Sequence, residues 1–341
     1  MVAEVILVKE RIIKKLREQV KAKISKHFKA GEKICIKLHM GEYGNLNYVR
    51  PPIIELIVDE LKKAGCQPFL FDSLVAYQGT RSTVRGALET ARKHGFSKET
   101  MGCPIIVSNE GVDSDTIHFS KMEVCKDIAD ANGMIVVSHF KAHCMAGYGA
   151  AIKNLGMGGV PKEIKALIHE ETEAELAYPE KCVSCGTCVR TCPIKGVKLG
   201  KNNKPEFTSC WGCGACVMKC PTKALKSKNE IALGAGLAES AMAVLGELKE
   251  NKVFYINVLF DISDNCDCEP VGDTDSPKVV MKNLGILLSE DIVAIDKAAF
   301  DLADTASNME FKKIWPCDPT LQFKTAEDLK MGSTKYKIVE K

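Results

Sequence analysis

Eight of the chain's 16 cysteines fall between Cys182 and Cys220, in two matching runs. The first is Cys182-x-x-Cys185-x-x-Cys188-x-x-x-Cys192-Pro193, the second Cys210-x-x-Cys213-x-x-Cys216-x-x-x-Cys220-Pro221. A thiolate every third residue wraps three sulfurs of one tight loop around a cubane; the cysteine before proline is held off far enough to reach another. Gly186, Gly212 and Gly214 let the backbone curl so that its amides point at sulfur. Zinc also takes four cysteines per ion, often as two separated pairs, but it offers no reason for a duplicated triplet followed by Cys-Pro.

Over about residues 178–228 this segment resembles the bacterial two-[4Fe–4S] ferredoxin fold. The resemblance implies that Cys182, Cys185, Cys188 and Cys220 hold one cluster and that Cys210, Cys213, Cys216 and Cys192 hold the other. Between Lys181 and Lys228 stand ten basic residues and a single acid, Glu206. Such a surplus offsets the negative charge of clusters and also suits the docking of an acidic redox partner protein.

The remaining sequence reads as alternating strands and helices. Apolar runs at 2–8, 34–38, 68–71, 105–107, 134–140 and 253–260 are expected strands. Ile12, Leu16, Val20, Ile24 and Phe28 recur every four residues, an amphipathic helix; further helices are expected over 53–64, 80–94, 122–131, 231–248 and 291–306. The pattern implies an α/β fold, a mostly parallel sheet flanked by helices. It continues on both sides of the cysteine segment, so the expected organisation is an α/β core of residues 1–177 and 229–341 with an α+β ferredoxin-like module, 178–228, inserted in it.

Ligands of open α/β sheets sit beyond the carboxyl ends of the strands, so the residues there nominate a site. They are His39, Glu42, Asn45 and Asn47; Asp72 and Ser73; Lys141, His143, Gly147, Gly149, Lys153 and Asn154; and Asp261, Asp264, Cys266 and Cys268. Gly147-x-Gly149 is neither a dinucleotide fingerprint nor a phosphate loop, since Ile152 stands where the third glycine belongs and no glycine directly precedes Lys153. A glycine-rich loop opening a helix, with Lys153 and Asn154 near its amides, still suits an anion. Lys141, His143 and His39 are candidate catalytic groups, and Cys266 and Cys268 candidate ligands of an additional metal. Cys35, Cys66, Cys103, Cys125, Cys144 and Cys317 mostly lie in apolar stretches and read as small core residues.

Ser138-His-Phe-Lys141-Ala-His143, followed by Gly149-Ala-Ala-Ile-Lys153-Asn154-Leu-Gly156, resembles the Lys-x-His…Gly-Ala-x-Lys-Asn-Leu-x-Gly signature of the uncharacterised iron–sulfur centre proteins of domain-of-unknown-function family 362. The segment Asn265-Cys-Asp-Cys268 and the later Asp291-Ile-Val-Ala-Ile-Asp296 are similar to it as well. The resemblance spans nearly the whole chain and implies the fold and the two clusters. Relatives often carry Lys-Pro-Asn after the first core strand, where this chain has Lys37-Leu-His39.

Composition narrows the function. The 341 residues suggest about two domains, 45% hydrophobic residues suffice for a large core, and a net charge of +3 argues against a nucleic-acid binder. There is no apolar run of membrane-spanning length and the first ten residues carry no signal-peptide pattern, so a cytoplasmic protein is expected. The leading expectation is an iron–sulfur oxidoreductase passing electrons to an anionic small molecule or a second cofactor in the crevice. No flavin or nicotinamide motif is evident. The alternatives are pure electron transport to a docked protein, and metal handling or cofactor assembly.

Overall fold

The computed structural model describes residues 2–10, 12–268 and 276–341. Eight strands form one sheet: β1 (Ala3–Val8), β2 (Lys33–Leu38), β3 (Gln67–Ser73), β4 (Ile105–Ser108), β5 (Gly133–His139), β6 (Val253–Leu259), β7 (Gly285–Ser289) and β8 (Tyr336–Glu340). Their spatial order is β8-β1-β7-β6-β5-β2-β3-β4. Within this sheet β7 alone runs against its neighbours, pairing antiparallel with β1 and β6, while every other pair is parallel. The expected α/β class with a mostly parallel sheet is what the chain adopts.

Alternate residues of each strand feed two cores, as a pleated sheet covered on both faces requires. One face carries Ile34, Ile36, Ile135, Val137 and Ile256. Against it pack α1 (Ile12–His27) through Leu16, Val20 and Ile24, α2 (Pro51–Lys63), and α3 (Val84–Lys93) through Ala87 and Ala91. The other face carries Phe69, Phe71, Met134 and Val136. It is covered by α4 (Ala151–Gly156), α5 (Lys162–Glu171), α6 (Leu233–Gly246), α7 (Ile292–Ala306) and α8 (Leu321–Asp328). Among the described residues no helix is long and apolar enough to cross a membrane.

Two sequence expectations need correction. Residues 122–131 are not one helix: Glu123–Cys125 pairs as a ribbon with Gly111–Asp113, and only Lys126–Ala129 is helical. Met122, Val124 and Cys125 are all buried, and the local pleat serves that burial better than a helical face. Residues 80–94 are interrupted where Thr83 turns extended and caps α3, its side chain accepting from the Gly86 amide.

Residues 172–232, between α5 and α6, make a smaller unit. Ala174–Glu175 pairs with Lys226–Ser227 and Val197–Leu199 with Pro205–Phe207, and between them lie the helical turns Thr187–Thr191 and Ala215–Met218. A minor core of Ala174, Cys216 and Leu225 holds them. The unit is tied to the main body where Leu233 N donates to Gly212 O at 2.9 Å.

Helix α4 is only six residues long, and its position is fixed from outside. The carboxylate of Asp296 on α7, fully buried, accepts from Ala151 N and Ile152 N at 2.9 Å each and from Asn257 Nδ2 at 2.8 Å. At Gly156 a Cβ would lie 2.1 Å from Leu237 O, so glycine is what lets α4 and α6 cross this closely. Asp296→Ala strands three buried donors and should lower unfolding free energy in urea by about 3 kcal/mol or more, whereas Asp296→Asn, which keeps an acceptor, should cost clearly less. Equal losses for the two variants would contradict this account.

Candidate functional site at the carboxyl ends of the strands

The carboxyl ends of β2, β3, β5 and β6 converge on a buried polar cluster. Lys37, at the end of β2, is fully buried and donates to Asp72 Oδ1 at 3.0 Å and Asn154 Oδ1 at 2.9 Å. Asn154 in turn donates to Val137 O and Ser138 Oγ, both at 3.0 Å. Two strands of the sheet and α4 are thereby locked by one lysine. Gly158 leaves the room for it: a Cβ there would come within 2.6 Å of Lys37 Nζ.

Asp72 collects further cations. Arg81 reaches its Oδ2 at 3.3 Å and His39 Nδ1 does so at 3.2 Å. Burial raises the Asp72 pKa, but Lys37, His39 and Arg81 outweigh it and hold the carboxyl far below the usual range. Arg81 can only donate, so its 3.3 Å contact makes His39 Nε2 an acceptor and leaves the proton on Nδ1, facing Asp72. Burial and Arg81 accordingly push the His39 pKa down. Lys165, buried beneath, donates to Ser73 Oγ at 2.8 Å and Leu74 O at 2.5 Å, and burial pushes its pKa down to about 8 against the pull of Asp72.

The loop after β6 closes the cluster. Asp267 is fully buried and paired with Lys141 Nζ at 2.7 Å, which above all keeps it ionised in spite of burial; His139 Nδ1 lies 3.5 Å and His39 Nε2 3.9 Å from its carboxylate. The loop after β2 grips the same segment: Glu42 N donates to Asp267 O at 2.9 Å. Fixing Asp267 presents Cys266 and Cys268 beside His143, and one ligand atom from each of these three residues lies within 4.8 Å of the others. His143 Nδ1 accepts from Met145 N and Ala146 N at 3.2 Å each, so its proton sits on Nε2. Burial first, then Lys153, lowers the His143 pKa to about 4.

Lys153 completes this end of the crevice, its Nζ 3.9 Å from Cys266 Sγ. Burial works against its charge, but Cys266, Cys268 and Asp267 raise its pKa. A hydrogen bond from Cys266 lowers the Cys268 pKa to about 7 against burial, with Lys153 assisting, while burial and Cys268 push that of Cys266 up. Gly149 makes space here, since a Cβ would meet Lys141 Cε at 3.2 Å and Lys153 Cδ at 3.4 Å. Lys37, Arg81, Lys141, Lys153 and Lys165 face Glu42, Asp72 and Asp267, a positive balance. Lys37, Arg81, Lys141 and Lys165 are buried, whereas Lys153 remains partly exposed.

The eight cysteines of the two runs gather around two separate cavities. Cys182, Cys185, Cys188 and Cys220 line one, and Cys192, Cys210, Cys213 and Cys216 line the other. Gly186, Gly212 and Gly214 all adopt positive φ at the loop turns. Backbone amides approach sulfur: Ala174 N donates to Cys210 Sγ at 3.3 Å, Gly196 N to Cys192 at 3.2 Å and Ala224 N to Cys220 at 3.3 Å. Met145, next to the residues that hold His143, lines the second cavity.

Several sequence candidates fall elsewhere. Asp261 pairs with Arg50 at 2.5 Å in an exposed contact, and the Asp264 carboxylate accepts from Lys278 N at 3.0 Å. Gly147 sits in a ribbon, Gly147–Gly149 against Lys141–His143, where a Cβ would strike Pro319. The amides that open α4 are taken by Asp296, so this glycine segment offers them to no outside anion. Asn45 and Asn47 brace the loop instead, Asn47 N donating to Asn45 Oδ1 at 2.8 Å and Asn47 Nδ2 to Pro277 O at 2.5 Å. Lys37, Arg81, His139, Lys165 and Asp267 are the site members that sequence reasoning missed. The other six cysteines, Cys35, Cys66, Cys103, Cys125, Cys144 and Cys317, are buried as expected.

Fold and site together define a cysteine-rich α/β protein with a His/Cys group compatible with metal binding. The chain belongs to the family described as a domain of unknown function, DUF362, whose profile matches residues 34–301. No curated protein matches it. Among solved structures it is similar to the lactate racemase apoprotein from Thermoanaerobacterium thermosaccharolyticum, with a TM-score of 0.37 and 11% identity over 76% of this chain. The match spans about half, 51%, of that protein's length.

Lys165 gives the cluster a pH signature. An unfolded lysine keeps its proton to about pH 10.4, but in the fold Lys165 releases it near about 8. Between those values the unfolded chain binds more protons, so stability contributed at this site rises with pH. Relative to Lys165→Met, wild type should gain about 1–2 kcal/mol of unfolding free energy between about pH 7.5 and 9.5. A difference that does not change with pH would remove Lys165 from this role.

Proposed function

We propose that residues 178–228 form an inserted two-[4Fe–4S] module and that the chain is a redox protein whose electrons reach the crevice of Lys153, His143, Cys266 and Cys268. The donor set fits: four cysteines line each cavity, tight loops turn on positive-φ glycines, and amides point at three sulfurs. Bound cubanes supply one-electron transfer.

The observation that carries the reading is Met145. It lines the second cysteine cavity, and its own amide donates to His143 Nδ1 at 3.2 Å, so a single residue joins that cavity to the crevice. In the crevice, Lys153 binds an anionic group, because it is the partly exposed cation of a positive cluster. Lys141 positions the Cys266–Cys268 loop through Asp267. His143 carries its proton at Nε2 and His39 carries one at Nδ1, and each donates a hydrogen bond from that atom. The basic surface between Lys181 and Lys228 suits an acidic redox partner protein.

A second reading, metal handling, is favoured by the His143–Cys266–Cys268 grouping itself. Elemental analysis separates the two. Anaerobically purified full-length protein should contain about eight iron and eight sulfide per chain, and Cys188→Ser and Cys216→Ser should each lose about half of the iron. Iron below about four per chain, or stoichiometric zinc in the cysteine runs, would overturn the two-cluster reading.

A further inference from the structure

Cys266 and Cys268 are placed for bond chemistry of their own. They flank one fixed residue: Asp267 is pinned by Lys141 at 2.7 Å, and its backbone oxygen accepts from Glu42 N at 2.9 Å. Their sulfurs lie within 4.8 Å of each other. A disulfide needs those sulfurs to close to about 2 Å.

The surroundings favour electron-rich sulfur over a bound cation. Lys153 Nζ stands 3.9 Å from Cys266 Sγ, and Lys141 lies against the residue between the cysteines. Two ammonium groups beside the sulfurs repel a divalent ion and stabilise a thiolate. His143 argues the same way. Its Nδ1 is occupied by the amides of Met145 and Ala146, so the other ring nitrogen carries a hydrogen and donates; a metal would first have to displace that proton.

We propose that Cys266 and Cys268 form a reversible dithiol–disulfide couple that holds an electron pair at the end of the crevice. The supply of electrons rests on the two-cluster reading above. Reduction breaks the sulfur–sulfur bond, takes up two electrons and two protons, and leaves two thiols; oxidation forms the bond and returns both electrons and both protons. The electrons pass singly, one for each of the two iron–sulfur centres, and the two protons come from solvent at the opening where Lys153 is partly exposed, His143 and Lys153 keeping their own. The couple thus turns two one-electron deliveries into the two-electron step that an anionic organic acceptor held by Lys153 requires.

The test uses anaerobic, cluster-loaded full-length protein. After oxidation with diamide, denaturation and alkylation with N-ethylmaleimide, the peptide spanning residues 266–268 should be unalkylated and two hydrogens lighter than its dithiol form. Cys268→Ser should restore alkylation at Cys266. Adding dithionite-reduced methyl viologen should open the bond at least about tenfold faster in wild type than in Cys213→Ser, which lacks a ligand of the nearer cavity. Two alkylated thiols after diamide, or a stoichiometric metal protecting both, overturns the couple. A bond that forms but opens equally fast in both proteins upholds the couple and refutes its supply through the clusters.

Discussion

The site depends on the ion pair between Lys141 and Asp267. Both groups are buried, so neither charge has water to stabilise it, and each is tolerable only because the other lies at 2.7 Å. The pair joins the segment after β5 to the loop after β6. Through it the cysteine-bearing loop gains a fixed place. His139 and His39 add to the same carboxylate, and Glu42 N holds the backbone of the same residue. A carboxylate at position 267 is therefore structural in its contacts and functional in its consequence, since the sulfurs on either side are aimed by it.

The same device recurs one layer deeper. Asp72 is the buried anion around which Lys37, Arg81 and His39 assemble, and Asn154 extends the network from Lys37 to β5. Parallel strands bring these residues together because their carboxyl ends all open on one edge of the sheet. Small residues then set the spacing: Gly158 admits Lys37, Gly149 admits Lys141 and Lys153, and Gly156 lets α4 lie close to α6. The Lys-Asn motif is thus split in its duties. Asn154 is spent on cohesion, with both ends of its amide occupied, while Lys153 is left facing the opening.

How much of this the sequence discloses depends on the range of the interaction. The cysteine runs are local, and the structure sets their eight cysteines around two cavities, four to each. The strands and the α/β class followed from apolar runs. Lys37 and Asp267 escaped for opposite reasons: one is hidden inside a strand otherwise made of apolar residues, the other sits between two cysteines that drew attention to themselves. Asp261 and Asp264 were nominated and Asp267 was not, and only tertiary contacts with Lys141 and His139 single out Asp267. Arg81 lies on a 3₁₀ turn far from any motif, and its role exists only once β3 places Asp72 beneath it. The segment 122–131 was misread because short apolar runs do not reveal their period.

The two cysteine cavities are not equivalent, and their difference gives the two-cluster reading a direction. In the first, Cys185 is exposed and its pKa is lowered by hydrogen bonds from Thr187. In the second, burial pushes Cys213 up to about 11 and Cys216 up to about 12, and Cys213 packs against the main core. Burial thus disfavours a free thiolate in this half of the unit more than in the other. In the outer set Cys185 is exposed, whereas the inner set lies beside Met145 and through it beside His143. On that reading electrons arrive at the exposed, basic end and leave at the buried one, where the cations of the crevice favour the arrival of negative charge.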